Sequence, residues 1–397
     1  MSNTTTQSAL MSTYNRFPIK LVKGKGSYVW DENGKKYLDY TSGIATCNLG
    51  HVPDSVQVKL KEQIDLLWHC SNLYEIPNQE NLAKILTENS CLDNVFFCNS
   101  GAEANEAAIK LAKKYAKDQG KPNRTEIVTF KHSFHGRTGT TMAATAQEKI
   151  HQGFTPLTSG FRYLPYNDFA ALEAINNGNT TAVLLELVQG EGGVHPAYID
   201  WVKQLESICK ENDILLMLDE VQTGIGRTGT LFAYQQYGIE ADVITLAKGL
   251  GSGVALGAML AKEAVAYSFQ PGTHGSTFGG NPLATSAGLA TMETILQEDI
   301  LANVVENSEW LLEELKRLKQ AFGNIVDVRG LGFLIGIEMM DDVGTWISRF
   351  REKGILVLSA GAKTLRILPP LTTTKEELEY FMNVFQELLS DFKEDNV

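Results

Sequence analysis

Positive charge is in short supply in this chain. Against 47 aspartates and glutamates stand 35 lysines and arginines, a formal net charge of −12. That balance argues against a nucleic-acid partner or an anionic membrane surface. Long apolar runs are missing too: none approaches the ~18 residues that a membrane-spanning helix needs. Cysteine is sparse. Cys47, Cys70, Cys91, Cys98 and Cys209 are odd in number, scattered, and form no C-x-x-C pair. Free thiols in a reducing cytosol are therefore expected rather than a disulfide framework. The opening MSNTTTQSALMSTYNRF has no basic n-region and no apolar h-region. It does not read as a secretory signal, and a cytoplasmic location is expected.

What is present is ordinary for a globular protein: 397 residues, 43% hydrophobic and 21% charged. That length exceeds what one core usually serves. Residues 27–42 read as a hairpin, SYVWD and KKYLDY around the turn Asn33-Gly34. From about residue 54, short apolar runs alternate with helical patterns. NVFFC, EIVTF, TAVLLELV, ILLMLD and DVITLA read as strands, with VALGAMLA as a sixth. Helices such as EANEAAIKLAKKYAK and YIDWVKQLESICKEN lie between them. The pattern predicts an α/β fold with a large, doubly wound, mostly parallel sheet. Character changes near residue 281. NPLATSAGLATMETILQ opens a long helical stretch, followed by short strands (IVDVRG, FLIGIEMM, ILVLS, TLRILPP) and the helix KEELEYFMNVFQELLSDF. The expected division is an N-terminal segment over 1–48 packing with the small domain, a large cofactor-binding domain over 49–282, and a small C-terminal α+β domain over 283–397.

Two strand ends carry the chemistry. ILLMLDEVQTG closes on Asp219 and ADVITLAKGLGSG on Lys248, about one strand–connection–strand unit apart. An acid and an amine entering glycine-rich turns suit a site at the carboxyl edge of a sheet. Lysine is costly to bury without a task. Pyridoxal phosphate chemistry needs both groups: the amine forms a Schiff base, and the carboxylate keeps the pyridine nitrogen protonated.

Other segments are weaker alone. In NSGAEANE, Ser100 and Glu103 have capping-box spacing, and Gly101 allows close backbone approach, so this helix start is either an anion site or an ordinary cap. TFKHSFHGRT places Phe134, able to cover a heterocycle, near Arg137, able to clamp a carboxylate. His132 and His135 lack a third ligand, so no metal is expected. LLELVQGEGG carries Glu186, Gln189 and Glu191, with a solvated loop carboxylate as the default reading and a gate or base as the other. GTHGSTFGGNP offers Ser276 and Thr277 to a phosphate, or is a plain loop. GIGRTG at 224–229, with Glu240 and Asp242 beyond, matches the dinucleotide fingerprint. It leads into LFAYQQYG, a poor phosphate-facing helix. A nicotinamide oxidoreductase is the alternative it offers. Arg366, in LRILPP, reads by itself as an exposed strand-end arginine.

SGAEANE, FHGRT, QGEGG, LDEVQTGIGRTG, AKGLGSG and HGSTFGGNP occur together and in order. With them the chain resembles the class III aminotransferases, fold-type I pyridoxal phosphate enzymes, from GSYVWDENGKKYLDYTSG to LRILPPL. The resemblance implies pyridoxal 5′-phosphate as cofactor and Lys248 as the Schiff-base lysine. Asp219 would pair with the pyridinium nitrogen and Gln222 with the phenolic oxygen, while Phe134 and Val221 flank the ring. The amides of Gly101 and Ala102 would hold the phosphate. Ser276 and Thr277 would join that site, Thr277 reaching the phosphate of a neighbouring subunit, so the expected active form is a homodimer with shared sites. Arg137 would bind a substrate carboxylate remote from the reacting amine. Glu191 would mask Arg366 while the amine donor is bound and swing aside for glutamate or 2-oxoglutarate.

Ile44, in SGIATCNLGH, stands where relatives acting on free ornithine carry a tyrosine, and an apolar residue suits an acylated amine. The implied reaction moves the δ-amino group of N2-acetyl-L-ornithine to 2-oxoglutarate, giving N-acetyl-L-glutamate 5-semialdehyde and L-glutamate in arginine biosynthesis. Ornithine, succinylornithine and 4-aminobutyrate are the alternative donors, and a non-catalytic pyridoxal-binding protein is a third reading. YNRFP at 14–18 is expected to line the distal pocket.

Overall fold

The computed structural model describes residues 9–394. β1 (Leu21–Lys25), which lies before the predicted hairpin, pairs antiparallel with its first strand; the hairpin itself forms from β2 (Tyr28–Asp31) and β3 (Lys36–Asp39), also antiparallel. Its turn is tight because Gly34 takes φ +81° and Asp31 Oδ1 accepts the N–H groups of Asn33 and Lys35, both at 2.9 Å.

The large sheet is built from β4 (Asn94–Cys98), β5 (Glu126–Phe130), β6 (Phe161–Leu164) and β7 (Thr180–Leu185). A small ribbon of β8 (Val188–Gln189) and β9 (His195–Pro196) follows, then β10 (Leu215–Asp219), β11 (Val243–Leu246) and β12 (Gly257–Ala261). The order is β4-β12-β11-β10-β7-β5-β6. All neighbours are parallel except around β12, which runs antiparallel to both β11 and β4. Every residue of β7 and β10 is buried because helices cover both faces. The helix Gly101–Asp118 lays Ala108, Leu111 and Ala112 against Ile127, Leu184 and Met217. On the other side, Trp201 and Leu205 of the helix Ile199–Glu211 join Phe130 and Leu216.

Boundaries differ from the sequence reading in four places. TAVLLELV breaks after Leu185, so Glu186 leaves the sheet. VALGAMLA is a strand only from Gly257. FRYL, too short and polar to show a period, is the edge strand β6, with Arg162 Nε donating to Glu126 Oε1 at 2.8 Å. The long helical stretch is two helices, Pro282–Gln297 and Ile300–Ala321, parted at Glu298 and Asp299.

The C-terminal antiparallel sheet comprises β13 (Ile325–Leu331), β14 (Leu334–Met339), β16 (Leu358–Ala360) and β17 (Thr364–Ile367), in the order β13-β14-β17-β16. Just before β16, β15 (Ile355–Leu356) pairs parallel with β3 of the hairpin. The helix Lys375–Glu394 closes this unit with Phe381 stacked on Phe350 at 5.6 Å between ring centroids. Among the described residues, no helix is long and apolar enough to cross a membrane.

Candidate active site

Asp219 ends β10 opposite Thr245 of β11, and Lys248 follows two residues beyond the end of β11. Both line a cavity of about 500 Å³ at this sheet edge. Its other walls are the helix start at Gly101 and Ala102, the loop carrying Phe134 and Arg137, the turn with Val221 and Gln222, and the loop from Glu186 to Glu191.

Asp219 is buried and aimed. Its Oδ2 accepts from Asn105 Nδ2 at 2.7 Å and lies 2.8 Å from His135 Nδ1, while Oδ1 accepts the Val221 N–H at 3.1 Å. Asn105 is fixed in turn. It donates to the His135 carbonyl at 2.8 Å and accepts from Thr245 Oγ1 at 2.7 Å. Such a chain of partners orients a carboxylate that burial alone would leave costly.

Lys248 sits at φ +44°, in the left-handed region, as it enters a short 3-10 turn. No hydrogen bond or ion pair holds its amine among the described residues. Burial pulls its pKa below the ordinary lysine value, and Arg366 adds to that pull against the carboxylates of Glu191 and Asp219.

The helix start fits an anion. Ser100 Oγ accepts the Glu103 N–H at 3.2 Å. Glu103 reaches past Ser100 to the N–H of Asn99 at 2.5 Å, so the capping box is displaced by one residue. The N–H groups of Gly101 and Ala102 remain at the positive end of an 18-residue helix. A Cβ on Gly101 would stand 2.7 Å from Val221 Cγ1, so only glycine lets the helix come this close to the turn after Asp219.

Arg366 Nη1 donates to Glu191 Oε1 at 2.5 Å and to Gln222 Oε1 at 3.3 Å. Burial pushes the Glu191 carboxyl upward, but the Arg366 guanidinium overrides it and holds the pKa below the ordinary value. Arg137, by contrast, is exposed and has no acidic partner among the described residues; its guanidinium carbon lies 5.6 Å from the Phe134 ring centroid.

A family model described as Aminotransferase class-III matches residues 10–389. The chain belongs to the class III aminotransferases. An acetylornithine aminotransferase of Oceanobacillus iheyensis is 67% identical over 389 residues, 98% of each chain. One of Bacillus subtilis (strain 168) is 48% identical over 373 residues, 94% of this chain and 95% of that one. Among solved structures, an N-acetylornithine aminotransferase from Stenotrophomonas maltophilia K279a gives a TM-score of 0.84 at 37% identity, covering 96% of this chain and 98% of that one. An ornithine aminotransferase from Toxoplasma gondii ME49 gives 0.94 at 30% identity, covering 98% and 94%.

In this class III chain the cavity gathers Gly101, Ala102, Phe134, Arg137, Glu191, Asp219, Val221, Gln222 and Lys248. Ser276 and Thr277 do not line it. Ser276 Oγ accepts from Asn99 Nδ2 at 3.3 Å, one residue before the helix cap, and Thr277 is exposed. Nor does the 14–18 segment: Asn15, Arg16 and Phe17 line a separate crevice with Thr41 and Arg351. Ile44 is exposed in a left-handed turn, two residues before Thr46, which does line the cavity.

Two readings made from local sequence are corrected. Glu186 is not a solvated loop carboxylate. Because β7 stops at Leu185, Glu186 turns inward, accepts the Phe134 N–H at 2.9 Å and lines the cavity; burial and then the Asp219 charge push its pKa well above the ordinary value. Arg366 is not an exposed strand-end arginine, because β17 is an inner strand between β14 and β16. As the poor helix pattern of LFAYQQYG implies, GIGRTG opens no phosphate-facing helix. It is a run of buried turns, where a Cβ on Gly226 would stand 2.8 Å from Leu371 Cδ1. Asn105 and His135 were missed as supports of Asp219. Their signal was an asparagine on an otherwise alanine-rich helix face and a histidine inside FHGRT.

Proposed function

We propose that this class III aminotransferase moves the δ-amino group of N2-acetyl-L-ornithine to 2-oxoglutarate, with pyridoxal 5′-phosphate held in the cavity. The carrying observation is the Glu191–Arg366 pair beside a buried, unpaired Lys248 amine. A guanidinium that can be masked suits an enzyme whose two substrates reach one amine with different charges beside it.

The residues fit the cofactor. A free buried amine, a tethered carboxylate and two open amides at a helix start surround one cavity of about 500 Å³. Lys248 would hold the cofactor, Asp219 its ring nitrogen and Gln222 its phenolic oxygen. Phe134 and Val221 would flank the ring, and Gly101, Ala102, Ser276 and Thr277 would serve phosphates. When bound, pyridoxal phosphate supplies an electron sink for the carbon that bears the transferred amine. Lys248, freed when the donor's amine takes its place and with its pKa lowered by burial, would take a proton from the donor's δ-carbon as general base and give it back within the site as general acid. Arg137 at the open wall grips the donor's α-carboxylate bidentately. Glu191 neutralises Arg366 during that half-reaction. The α-carboxylate of 2-oxoglutarate takes its place in the next.

The exposed apolar Ile44 supports an acylated donor, whose amide needs no charge partner. A homodimer with shared sites is part of the proposal. Leu66, Leu67, Trp68, Leu73 and Tyr74 are exposed on a segment tied to the Thr277 loop, with His69 5.4 Å from the exposed Phe278 ring and Asn72 Nδ2 donating to the Gly279 carbonyl at 2.9 Å. An apolar surface of this kind suits a second copy of the chain. The three-part division at residues 48 and 282 is supported by the β3–β15 pairing, which ties the N-terminal segment to the C-terminal unit. Cytoplasmic residence belongs to the same reading, supported by five free cysteines.

The test is turnover with 2-oxoglutarate and a panel of amines. N2-acetyl-L-ornithine should give glutamate with the highest kcat/KM. A preference for free ornithine would overturn the acylated donor, and no glutamate from any amine would overturn transamination.

A further inference from the structure

The GIGRTG turn takes no part in the chemistry above, yet its Arg227 is wholly buried. We infer that Arg227 is a positioning residue for the 2-oxo-acid half-reaction, a pin that holds Arg366 in register with Lys248. The inference rests on Arg366 being the site of the 2-oxo acid's α-carboxylate.

Among the described residues no carboxylate pairs with this guanidinium. Burial drags its pKa down to about 9, opposed by Cys47 and by no carboxylate. A charge held this way is expensive unless its hydrogen bonds fix a geometry. Here they join three distant segments. Nη1 donates to the carbonyl of Phe333, at 3.2 Å, in the turn between β13 and β14, and to that of Pro369, three residues beyond Arg366. Nη2 donates to Asn48 Oδ1 at 2.8 Å. The carbonyl of Arg227 itself accepts the Phe333 N–H at 3.0 Å.

Asn48 completes the link. Its Nδ2 donates to the Ile225 carbonyl at 2.7 Å, and its own carbonyl accepts the Leu371 N–H at 2.7 Å. Its amide lies so close to Gly249 that any Cβ there would collide with it. Gly249 directly follows Lys248. The guanidinium therefore ties the end of β17, which carries Arg366, to the amide that leans on the lysine's turn.

Loosening this pin alters the spacing between Arg366 and the Lys248 amine. The spacing matters when one molecule must reach both, as 2-oxoglutarate would with its α-carboxylate at Arg366 and its α-carbon, which must gain a proton along with the transferred amino group, within reach of the Lys248 amine that delivers that proton. It matters little to a donor gripped by Arg137, whose loop lies outside the network. A misplacement within a site is costly in rate because the reacting geometry is narrow.

Single-turnover kinetics on the holoenzyme of Arg227→Lys test this, with Asn48→Ala as a second variant that leaves the guanidinium in place and removes the Asn48 amide's links to Arg227 and Ile225. In both, the donor half-reaction should stay within about threefold of wild type, while kcat/KM for the 2-oxoglutarate half-reaction falls about tenfold or more, with the cofactor's visible absorbance unchanged. Equal losses in both halves, or no loss in either, would overturn the positioning role. Arg227→Lys failing to fold leaves Asn48→Ala to decide by the same split. Arg366→Lys separates the two claims: full 2-oxoglutarate activity in that variant would remove the carboxylate site itself.

Discussion

Glu191 Oε1 lies 2.5 Å from Arg366 Nη1, and the arginine side chain is only 3% exposed. The carboxylate neutralises a guanidinium that has no other acidic partner among the described residues. Glu191→Ala leaves that cation unpaired in the cavity wall. The donor half-reaction should slow about tenfold or more, and reaction with glutamate should hold or quicken. Stopped-flow rates of the two halves decide, and equal slowing of both would remove the gate.

The carboxylate of Asp219 works only where it is aimed. Asp219→Asn should cost several orders of magnitude in turnover. Asn105→Ala and His135→Phe each remove one of its 2.7–2.8 Å partners and should cost about 10- to 100-fold, as loss of an orienting partner does. Steady-state kcat with saturating substrates measures it. Unchanged kcat in both variants would separate these residues from the chemistry.

Gly101 has no room for a methyl group. Gly101→Ala forces a Cβ to within 2.7 Å of Val221 Cγ1, an overpacking that typically costs about 1–3 kcal/mol. The helix start must shift away from the Asp219 turn, so affinity for pyridoxal phosphate should drop together with the thermal midpoint. Wild-type affinity by fluorescence titration would show that this helix end does not hold the phosphate.

The pair between His51 Nε2 and Asp39 Oδ2, at 2.7 Å, predicts a pH dependence. Hydrogen bonds to Asp39 and then Cys47 raise the His51 pKa from 6.5 to about 10. A raised folded-state pKa contributes stability that is complete below the unfolded value and is lost as pH rises through the folded one. The thermal midpoint gap between wild type and His51→Gln should therefore be widest below pH 6.5 and shrink to little by about pH 10. A gap that widens with pH would contradict the pairing.

The sheet was legible because buried parallel strands are apolar throughout, and ILLMLD and DVITLA end where their polar residues begin. The FRYL strand was not, since an edge strand of four residues with Arg162 and Tyr163 shows no period. Lys248 and Asp219 stood out because an amine and an acid at strand ends break an apolar rule. Glu186 did not, because a carboxylate beside a break in a strand looks the same whether it turns out or in. Only the end of β7 at Leu185 decides that. Arg227 was hidden for a related reason. Two of its partners are backbone carbonyls of residues 106 and 142 positions away, and the third is the Asn48 side chain, 179 positions away; main-chain acceptors leave no mark in a sequence.

The central claim is that Lys248 is the amine on which transamination turns. Borohydride reduction of the holoenzyme, followed by mass mapping of its peptides, tests it most directly. The pyridoxyl mass should appear on the peptide bearing Lys248, and Lys248→Ala should lose both the label and turnover. A label on another lysine, or turnover surviving in Lys248→Ala, would contradict the account.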